Sequence, residues 1–218
     1  MKLADYLSAL DTLRGEYPKW NAPVVTLIAT HSHDPFLVLI STILSLRTQD
    51  RTTARASERL FALAATPYEM RRLSNEAIEK LIFPVGFYRQ KAAQITELCE
   101  RLCSEFHGVV PSDLETLLSF KGVGRKTANL VLSLGFDIPA VCVDTHVHRI
   151  SNILGFLRTR TPEQSEMAIR AKVPKQHWSE INDLLVAFGQ TICKSVSPFC
   201  TRCPITDLCE KRGVNVSR

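Results

Sequence analysis

Apolar residues recur at helical spacing along almost the whole chain, and caps and prolines separate the segments. Near the N-terminus, leucines occupy every third or fourth position from Leu3 to Leu13. The pattern predicts further helices over residues 34–46, 50–65, 74–86, 88–106, a short one through 114–118, one ending at 135, and others over 144–154, 161–174 and 176–192. Only residues 139–143 have an extended pattern, so the sequence predicts an all-α protein.

Polar residues mark where several of these helices begin. Asp34 precedes Pro35, the usual order at a helix start. Ser112 with Glu115, and Thr161 with Gln164, have the spacing of capping boxes.

The composition is that of a globular protein with a mild positive charge. Of 218 residues, 45% are hydrophobic and 22% charged, and the formal net charge is +5. That excess is compatible with a polyanionic partner without requiring one. No secretory signal is visible, and the most apolar run, residues 36–46, is too short to span a bilayer. We expect a cytoplasmic monomer with no membrane association, nucleoid-associated if bacterial or archaeal.

A glycine turn followed by a lysine is the first candidate for chemistry. Gly122 and Gly124 lie between two predicted helices, where backbone N–H groups at a helix start can bind a phosphate. The alternative is a simple connector between packed helices. Lys126 follows in the first helical turn, where the helix N-terminus and Arg125 favour a neutral, nucleophilic amine. Most helical lysines, however, are merely solvated.

Asp144 has two interpretations as well. It fits an N-cap for the helix that follows, and an ionised carboxylate there can also stabilise a developing cation.

Four of the seven cysteines lie within seventeen residues, at positions Cys193, Cys200, Cys203 and Cys209. A reducing compartment makes disulfides a weak explanation. Four thiolates in one short loop suit either zinc or an iron–sulfur cluster. Cys99, Cys103 and Cys142 fall outside this pattern and are expected to be buried small apolar residues.

These features together resemble the endonuclease III family of DNA glycosylases, in the helix-hairpin-helix superfamily. The matching stretches are GFYRQKA (86–92), GVGRKTANLVL (122–132), VDTHVHR (143–149) and the four cysteines. The resemblance implies a six-helix bundle with the hairpin over residues 23–135. It also implies a second helical domain, made of 1–22 and 136–218, that holds a [4Fe–4S] cluster on the four cysteines. A DNA-binding cleft between the domains would bring Lys126 and Asp144 face to face.

The resemblance further implies a base excision repair enzyme that acts on duplex DNA with damaged bases or abasic sites. Lys126 would displace an oxidised pyrimidine and nick the strand through a Schiff base, with Asp144 stabilising the transition state. The presence of Lys126, and the end of the chain nine residues after Cys209, favour this bifunctional activity. Two alternatives are a monofunctional glycosylase for mismatched or deaminated bases and a non-catalytic DNA-binding module with a structural metal site on the four cysteines. The expected DNA contacts, besides those discussed next, are Gly122, Val123, Gly124, Arg125, Lys194 and Arg202.

Three positions depart from the family pattern. Arg47 stands where the family has the glutamine that enters the space of the flipped base, Phe87 replaces the usual leucine wedge, and Lys121 replaces a proline before the hairpin. An arginine in the gap can bond a guanine opposite the lesion or pair with phosphate. Lesion range and opposite-base preference are therefore the properties most open to change.

Overall fold

The computed structural model describes all residues from 1 to 218 and contains twelve α-helices, four short 3₁₀ turns and no strand. This confirms the predicted all-α class. The helices are α1 Leu3–Glu16, α2 Val24–Ser32, α3 Pro35–Ser45, α4 Asp50–Phe61, α5 Pro67–Met70, α6 Asn75–Ile82, α7 Tyr88–Glu105, α8 Leu114–Ser119, α9 Arg125–Phe136, α10 Thr145–Ile153, α11 Pro162–Lys172 and α12 Trp178–Thr191. None of them combines the length and apolarity that a bilayer-spanning segment requires.

The chain forms two compact units. One consists of Val24–Ile138 and contains α2 to α9. The other consists of Met1–Pro23 with Pro139–Arg218 and contains α1 and α10 to α12.

The unit of residues 24–138 is built around α3. This helix has no charged residue, and its side chains from Val38 to Leu44 are all buried. An apolar helix of this kind has no face suited to water, so it becomes the centre of its unit. It packs most extensively on α9, and also on α2, α4 and α7. The contact with α9 is close: a Cβ at Gly135 would lie 3.0 Å from the Pro35 Cα.

The unit of residues 1–23 and 139–218 has its own apolar core. Helices α10 and α12 pack against each other, and α1 packs on α12. Tyr6 is fully buried and stacks on Phe156, with ring centroids 3.9 Å apart. The core therefore joins the N-terminal helix to the chain after residue 139, two segments far apart in sequence.

The structure confirms some predicted helix starts and corrects others. The Asp34 side chain accepts a hydrogen bond from the Phe36 amide, with Pro35 in the first turn as predicted. The predicted cap at Ser112 is wrong by one residue: Asp113 caps α8 by accepting from the Thr116 amide. An aspartate carboxylate is a better acceptor for an N-terminal amide than a serine hydroxyl, and it is one residue closer.

The structure also shortens one predicted helix and contains two helices, α2 and α5, that were not predicted. The predicted helix over 50–65 ends at Phe61, and Pro67 begins α5, a short helix absent from the predictions, with Thr66 as its cap. Helix α2 was not predicted, although its sequence is mostly apolar. It starts directly after Pro23, and its first residue, Val24, donates its amide to the Asp50 carboxylate on α4, a contact that only folding creates.

Candidate active site and nucleic-acid interface

The predicted hairpin consists of α8, a five-residue turn and α9. Helix α8 ends when Phe120 adopts extended angles, and the buried Phe120 side chain anchors the turn. Val123 is also buried, and its amide donates to the Phe120 carbonyl at 3.0 Å. Val123 therefore closes the turn, and its amide is already used for that purpose.

The two glycines of the turn have different roles. Gly122 has φ +76°, a left-handed conformation that glycine adopts without strain, and a Cβ there would meet the Gln94 side chain of α7. Gly124 has φ −92°, caps the start of α9, and has open space where a Cβ would be. The first amides of a helix have no carbonyl partner within it. The turn therefore leaves an open approach to the start of α9.

Lys126 lies in the first turn of α9, as the sequence predicts, and is half-buried. Lys121, the second residue of the turn, is 77% exposed, and its Nζ pairs with Glu97 at 3.0 Å. An exposed pair of this kind is weak and can be exchanged for a phosphate contact.

Arg47 and Phe87 form an exposed pair on the same unit. Both have left-handed backbone angles, φ 52° for Arg47 and 58° for Phe87, and the Arg47 guanidinium lies 5.5 Å from the centroid of the Phe87 ring. Gly86 makes this approach possible, because a Cβ there would lie 2.6 Å from the Arg47 carbonyl oxygen. A strained backbone at two exposed residues whose side chains contact each other is typical of a functional site.

Lys91 is a buried residue that the sequence analysis did not single out. It is 5% exposed, and its Nζ donates to the Leu44 carbonyl at 2.9 Å and the Leu46 carbonyl at 2.6 Å. Burial, and then the charge of Lys126, lowers the pKa of Lys91 to about 8. The available signal was its place on the apolar face of α7, four residues before Ile95.

Asp144 is the N-cap of α10, as the sequence predicts. Its Oδ1 accepts a hydrogen bond from the Val147 amide at 2.8 Å, and the side chain is half-buried. The second carboxylate oxygen is left for another partner. A cap of this type holds the carboxylate in one orientation at the positive end of the helix.

The four cysteines line one small cavity of about 20 Å³, together with apolar residues of α10 and α12. Burial is the main cause that raises the pKa of Cys193, Cys203 and Cys209, to about 11 in the case of Cys203. Donors reach the sulfurs: the Lys211 amide lies 3.3 Å from the Cys209 Sγ. Nowhere do three or more His, Cys, Asp or Glu side chains converge closely enough to hold a single metal ion.

Arg149 connects α10 to the start of this cysteine loop, residues 193–209. Its guanidinium donates to the Cys193 carbonyl at 2.5 Å and to the Cys193 Sγ at 3.7 Å. The arginine of the VDTHVHR stretch therefore contacts the cysteine loop and holds its first residue.

Three basic residues converge on one aromatic ring of the cysteine loop, and two of them, Lys194 and Arg202, belong to the loop itself. Lys194, Arg202 and Arg218 lie 5.4, 4.4 and 4.3 Å from the Phe199 centroid. The exposed Lys194 and Arg202 are thus placed by stacking on Phe199. The three cysteines outside the loop, Cys99, Cys103 and Cys142, are buried as predicted.

Residues 40–175 match the family model described as the HhH-GPD superfamily of base excision DNA repair proteins. The chain is 50% identical to endonuclease III of Thermotoga maritima, over 81% of this chain and 83% of that protein. The chain belongs to the endonuclease III family of bifunctional DNA glycosylases and AP lyases. It is therefore a base excision repair enzyme, and the predicted family is confirmed.

Solved structures agree. The fold matches a non-covalent endonuclease III–DNA complex with a TM-score of 0.87 at 34% identity, over 97% of this chain and 96% of that one. It matches a trapped covalent endonuclease III–DNA intermediate equally well, with 97% of each chain covered.

The predicted site residues are divided between the two units. The unit of residues 24–138 contains the hairpin with Lys126, together with Arg47, Phe87 and Lys91. The unit of residues 1–23 and 139–218 contains Asp144 and the cysteine loop. Within residues 24–138, the side chain of Lys91 lies close enough to Lys126 for the charge of Lys126 to act on it.

Proposed function

We propose that this enzyme excises oxidised pyrimidines from duplex DNA and then nicks the abasic strand by β-elimination through a Schiff base on Lys126. The observation that carries the proposal is the place of Lys126 in the first turn of α9, directly after an open glycine turn. A phosphate bound by the first amides of α9 would hold the DNA strand beside this amine. The proposed site of action is the cytoplasm, on the nucleoid if the cell is bacterial or archaeal.

The proposed chemistry uses one amine twice. The damaged nucleotide leaves the base stack, and the amine of Lys126 attacks C1′ of its deoxyribose. The C1′–N bond to the base breaks, and the base leaves with the electron pair and takes up a proton. The attached amine loses a proton and the sugar ring opens, giving an imine between Lys126 and C1′.

The imine then drives strand cleavage. In its protonated form it acidifies the C2′ hydrogen, which leaves as a proton. The electron pair forms a C2′–C3′ double bond, and the C3′–O bond breaks with departure of the 3′-phosphate. Hydrolysis of the imine returns Lys126 to its free form.

Asp144 is proposed as the anion that stabilises the oxocarbenium-like transition state of base release. Its Oδ1 is occupied by the Val147 amide, so Oδ2 is the oxygen that faces the reaction in this proposal. A carboxylate already oriented by a helix cap needs no reorganisation when positive charge develops.

A [4Fe–4S] cluster is the proposed cofactor of the cysteine loop. Four thiols around one apolar cavity, with N–H donors directed at two of the sulfurs, form a donor set that suits such a cluster. Bound there, the cluster supplies structural cross-linking of a loop that is too short to have its own core. The loop can then present Lys194 and Arg202 to DNA phosphates.

Borohydride trapping on a panel of damaged duplexes tests the proposal. The wild-type enzyme should give a reduced covalent adduct on duplexes with oxidised pyrimidines. Lys126→Gln should abolish adduct, base release and nicking while DNA binding remains salt-sensitive. The matched control is Lys80→Gln, an exposed lysine on α6, which should behave like the wild type. Base release without an adduct would indicate the monofunctional alternative, and binding without turnover would indicate the non-catalytic one.

A second variant separates the two roles of Asp144. Asparagine caps helices about as well as aspartate, so Asp144→Asn removes the charge but keeps the cap. We expect a rate of base release at least about 10-fold lower, since one preorganised charge is lost. The melting temperature should change little. Losses of rate and of stability in parallel would support a capping role alone.

A further inference from the structure

The buried lysine of α7 has a set of contacts that the proposed chemistry does not use. Lys91 directs its Nζ at three oxygen atoms: the carbonyls of Leu44 and Leu46 and, at 3.3 Å, the Thr48 hydroxyl. A lysine is almost never fully buried without partners. Three acceptors match the three protons of an ammonium group, so the site is built for the charged form.

Two of the three acceptors of this ammonium, the Leu44 and Leu46 carbonyls, belong to the end of α3. Helix α3 ends at Ser45, and the last carbonyls of a helix have no amide partner within it. A cation is favourable at this negative end. Lys91 therefore acts as a C-terminal cap for α3 that is supplied by another helix.

The same contacts fix the segment that carries Arg47. Leu46 and Thr48 are its two neighbours in the chain, and both bind the Lys91 ammonium. Arg47 itself has a left-handed backbone. Holding both neighbours is an effective way to maintain a strained residue between them.

The Phe87 turn is tied to the same group of atoms. The Gly86 amide donates to the Thr48 Oγ1 at 3.1 Å, the oxygen that Lys91 also approaches. Four residues after Phe87, the Lys91 amide binds the Phe87 carbonyl at 3.0 Å in the first turn of α7. One buried lysine thus connects both segments beneath the exposed Arg47–Phe87 pair.

A cation is a costly way to fill this space. Burial lowers the pKa of Lys91, and so does the charge of Lys126. An apolar side chain of similar length would pack without this cost. What only the ammonium provides is the set of hydrogen bonds to the loop.

We propose that Lys91 is a positioning residue for the Arg47–Phe87 pair and thereby sets the preference of the enzyme for the base opposite the lesion. The inference rests on the proposed function, because only a flipped nucleotide leaves a gap for the pair to fill. A long cation next to a large ring can discriminate between opposite bases only if both are held in one arrangement. Lys91 contacts neither DNA nor the reacting atoms in this scheme.

The test compares Lys91→Met with Lys80→Met, the same change at an exposed site of the same unit. Base release is measured on duplexes with each of the four opposite bases, and cleavage on a single-stranded abasic site. In Lys91→Met, we expect base release from the best duplex to fall on the order of 100-fold, as a misplaced site does. The rates for the four opposite bases should become similar. Cleavage of the single strand, which has no opposite base, should fall much less. Lys80→Met should match the wild type.

A second pair of variants applies if Lys91→Met does not fold. Thr48→Val removes the hydroxyl that joins the two segments while keeping the shape, and Thr48→Ser retains it. Thr48→Val should reduce the opposite-base preference, and Thr48→Ser should restore it.

The inference would be overturned if Lys91→Met kept the wild-type ratios of rates among the four opposite bases, even if all rates fell together. If Lys91→Met does not fold, the same result in Thr48→Val would overturn it. Failure of the underlying function has a different signature: the wild-type enzyme itself would give no borohydride adduct.

Discussion

The cysteine loop and the Arg47–Phe87 pair both present basic side chains, but they are held in different ways. The cysteine loop contains two three-residue 3₁₀ turns, and its cations stack on Phe199 around a cysteine-lined cavity. The Arg47–Phe87 pair stands on the ends of α3 and α7, above the buried ammonium of Lys91. With the proposed cluster, the first would depend on sulfur ligands, whereas the second depends on protein hydrogen bonds alone.

The difference follows from how much chain is available to each region. Seventeen residues cannot bury enough apolar surface to fix themselves, and a bound metal centre can supply that free energy instead. The Arg47–Phe87 pair lies over the core of residues 24–138. Only the unpaired backbone groups at the nearby helix ends still need hydrogen-bond partners. We therefore expect the two regions to fail independently.

The largest expected effect comes from removing one sulfur. Cys203→Ser should eliminate the broad visible absorption of a cluster and weaken DNA binding at low salt by about 10-fold or more, because two phosphate contacts lose their ordered positions. Residues 24–138 should keep their resistance to proteolysis. Cys142→Ala is the matched control, since this buried cysteine lies in the same unit but outside the loop. A colourless wild-type protein would contradict the proposed iron–sulfur cluster, because zinc gives no such band.

The next effect distinguishes the two hairpin glycines. Gly122→Ala forces a methyl group onto a residue at φ +76° and should reduce the free energy of unfolding by about 1 kcal/mol. Gly124→Ala enters open space and should change stability little, yet it should weaken DNA binding where a phosphate approaches closely. Thermal unfolding and DNA titration measure both. Equal destabilisation by the two substitutions would show that the turn responds as one unit.

A smaller effect is expected at the aromatic centre of the cysteine loop. Phe199→Ala keeps every charge but removes the ring under Lys194, Arg202 and Arg218, so DNA affinity should fall about 2- to 5-fold, as loss of exposed cation–π contacts implies. The salt dependence of binding should stay the same. Arg202→Gln, in contrast, should lower the magnitude of the salt slope by about 0.9. A changed slope in Phe199→Ala would mean that the ring holds the cations in contact with DNA more firmly than stacking alone explains.

The smallest effect concerns a cysteine that no metal site uses. Burial raises the pKa of Cys99 from 9.0 to about 12. The thiol ionises in the unfolded chain at lower pH than in the native one, so its stabilising contribution is complete below pH 9 and is lost as pH rises towards 12. The stability difference between wild type and Cys99→Ala should therefore shrink over that range. Iodoacetamide at pH 8 should leave native Cys99 unmodified, and rapid alkylation would contradict its burial.

Local signals in the sequence predicted much of the fold. The apolar spacing predicted the all-α class, and Asp34, Asp144 and Thr161 cap helices at the predicted positions. These features depend on neighbours within four residues, which a sequence displays directly. Where two capping residues were adjacent, as at Ser112 and Asp113, the pattern did not identify the correct one.

The predicted capping box at Thr161 was also only partly correct. Thr161 accepts from the Gln164 amide as predicted, but the Gln164 side chain binds the amide of Arg160, one residue before the cap.

Other features depend on contacts across the chain. The place of Lys91 is the clearest case, because its acceptors are more than 40 residues away. No spacing rule connects such positions.

Residues that are close along the chain encode most of the helices, the turn before Lys126 and the grouping of the four cysteines, so these features could be predicted. The burial of Lys91 beneath Arg47 and Phe87, and the three cations on the Phe199 ring, become visible only in the folded chain. Burial and long-range hydrogen bonds are properties of packed helices, and they exist only once distant segments have met.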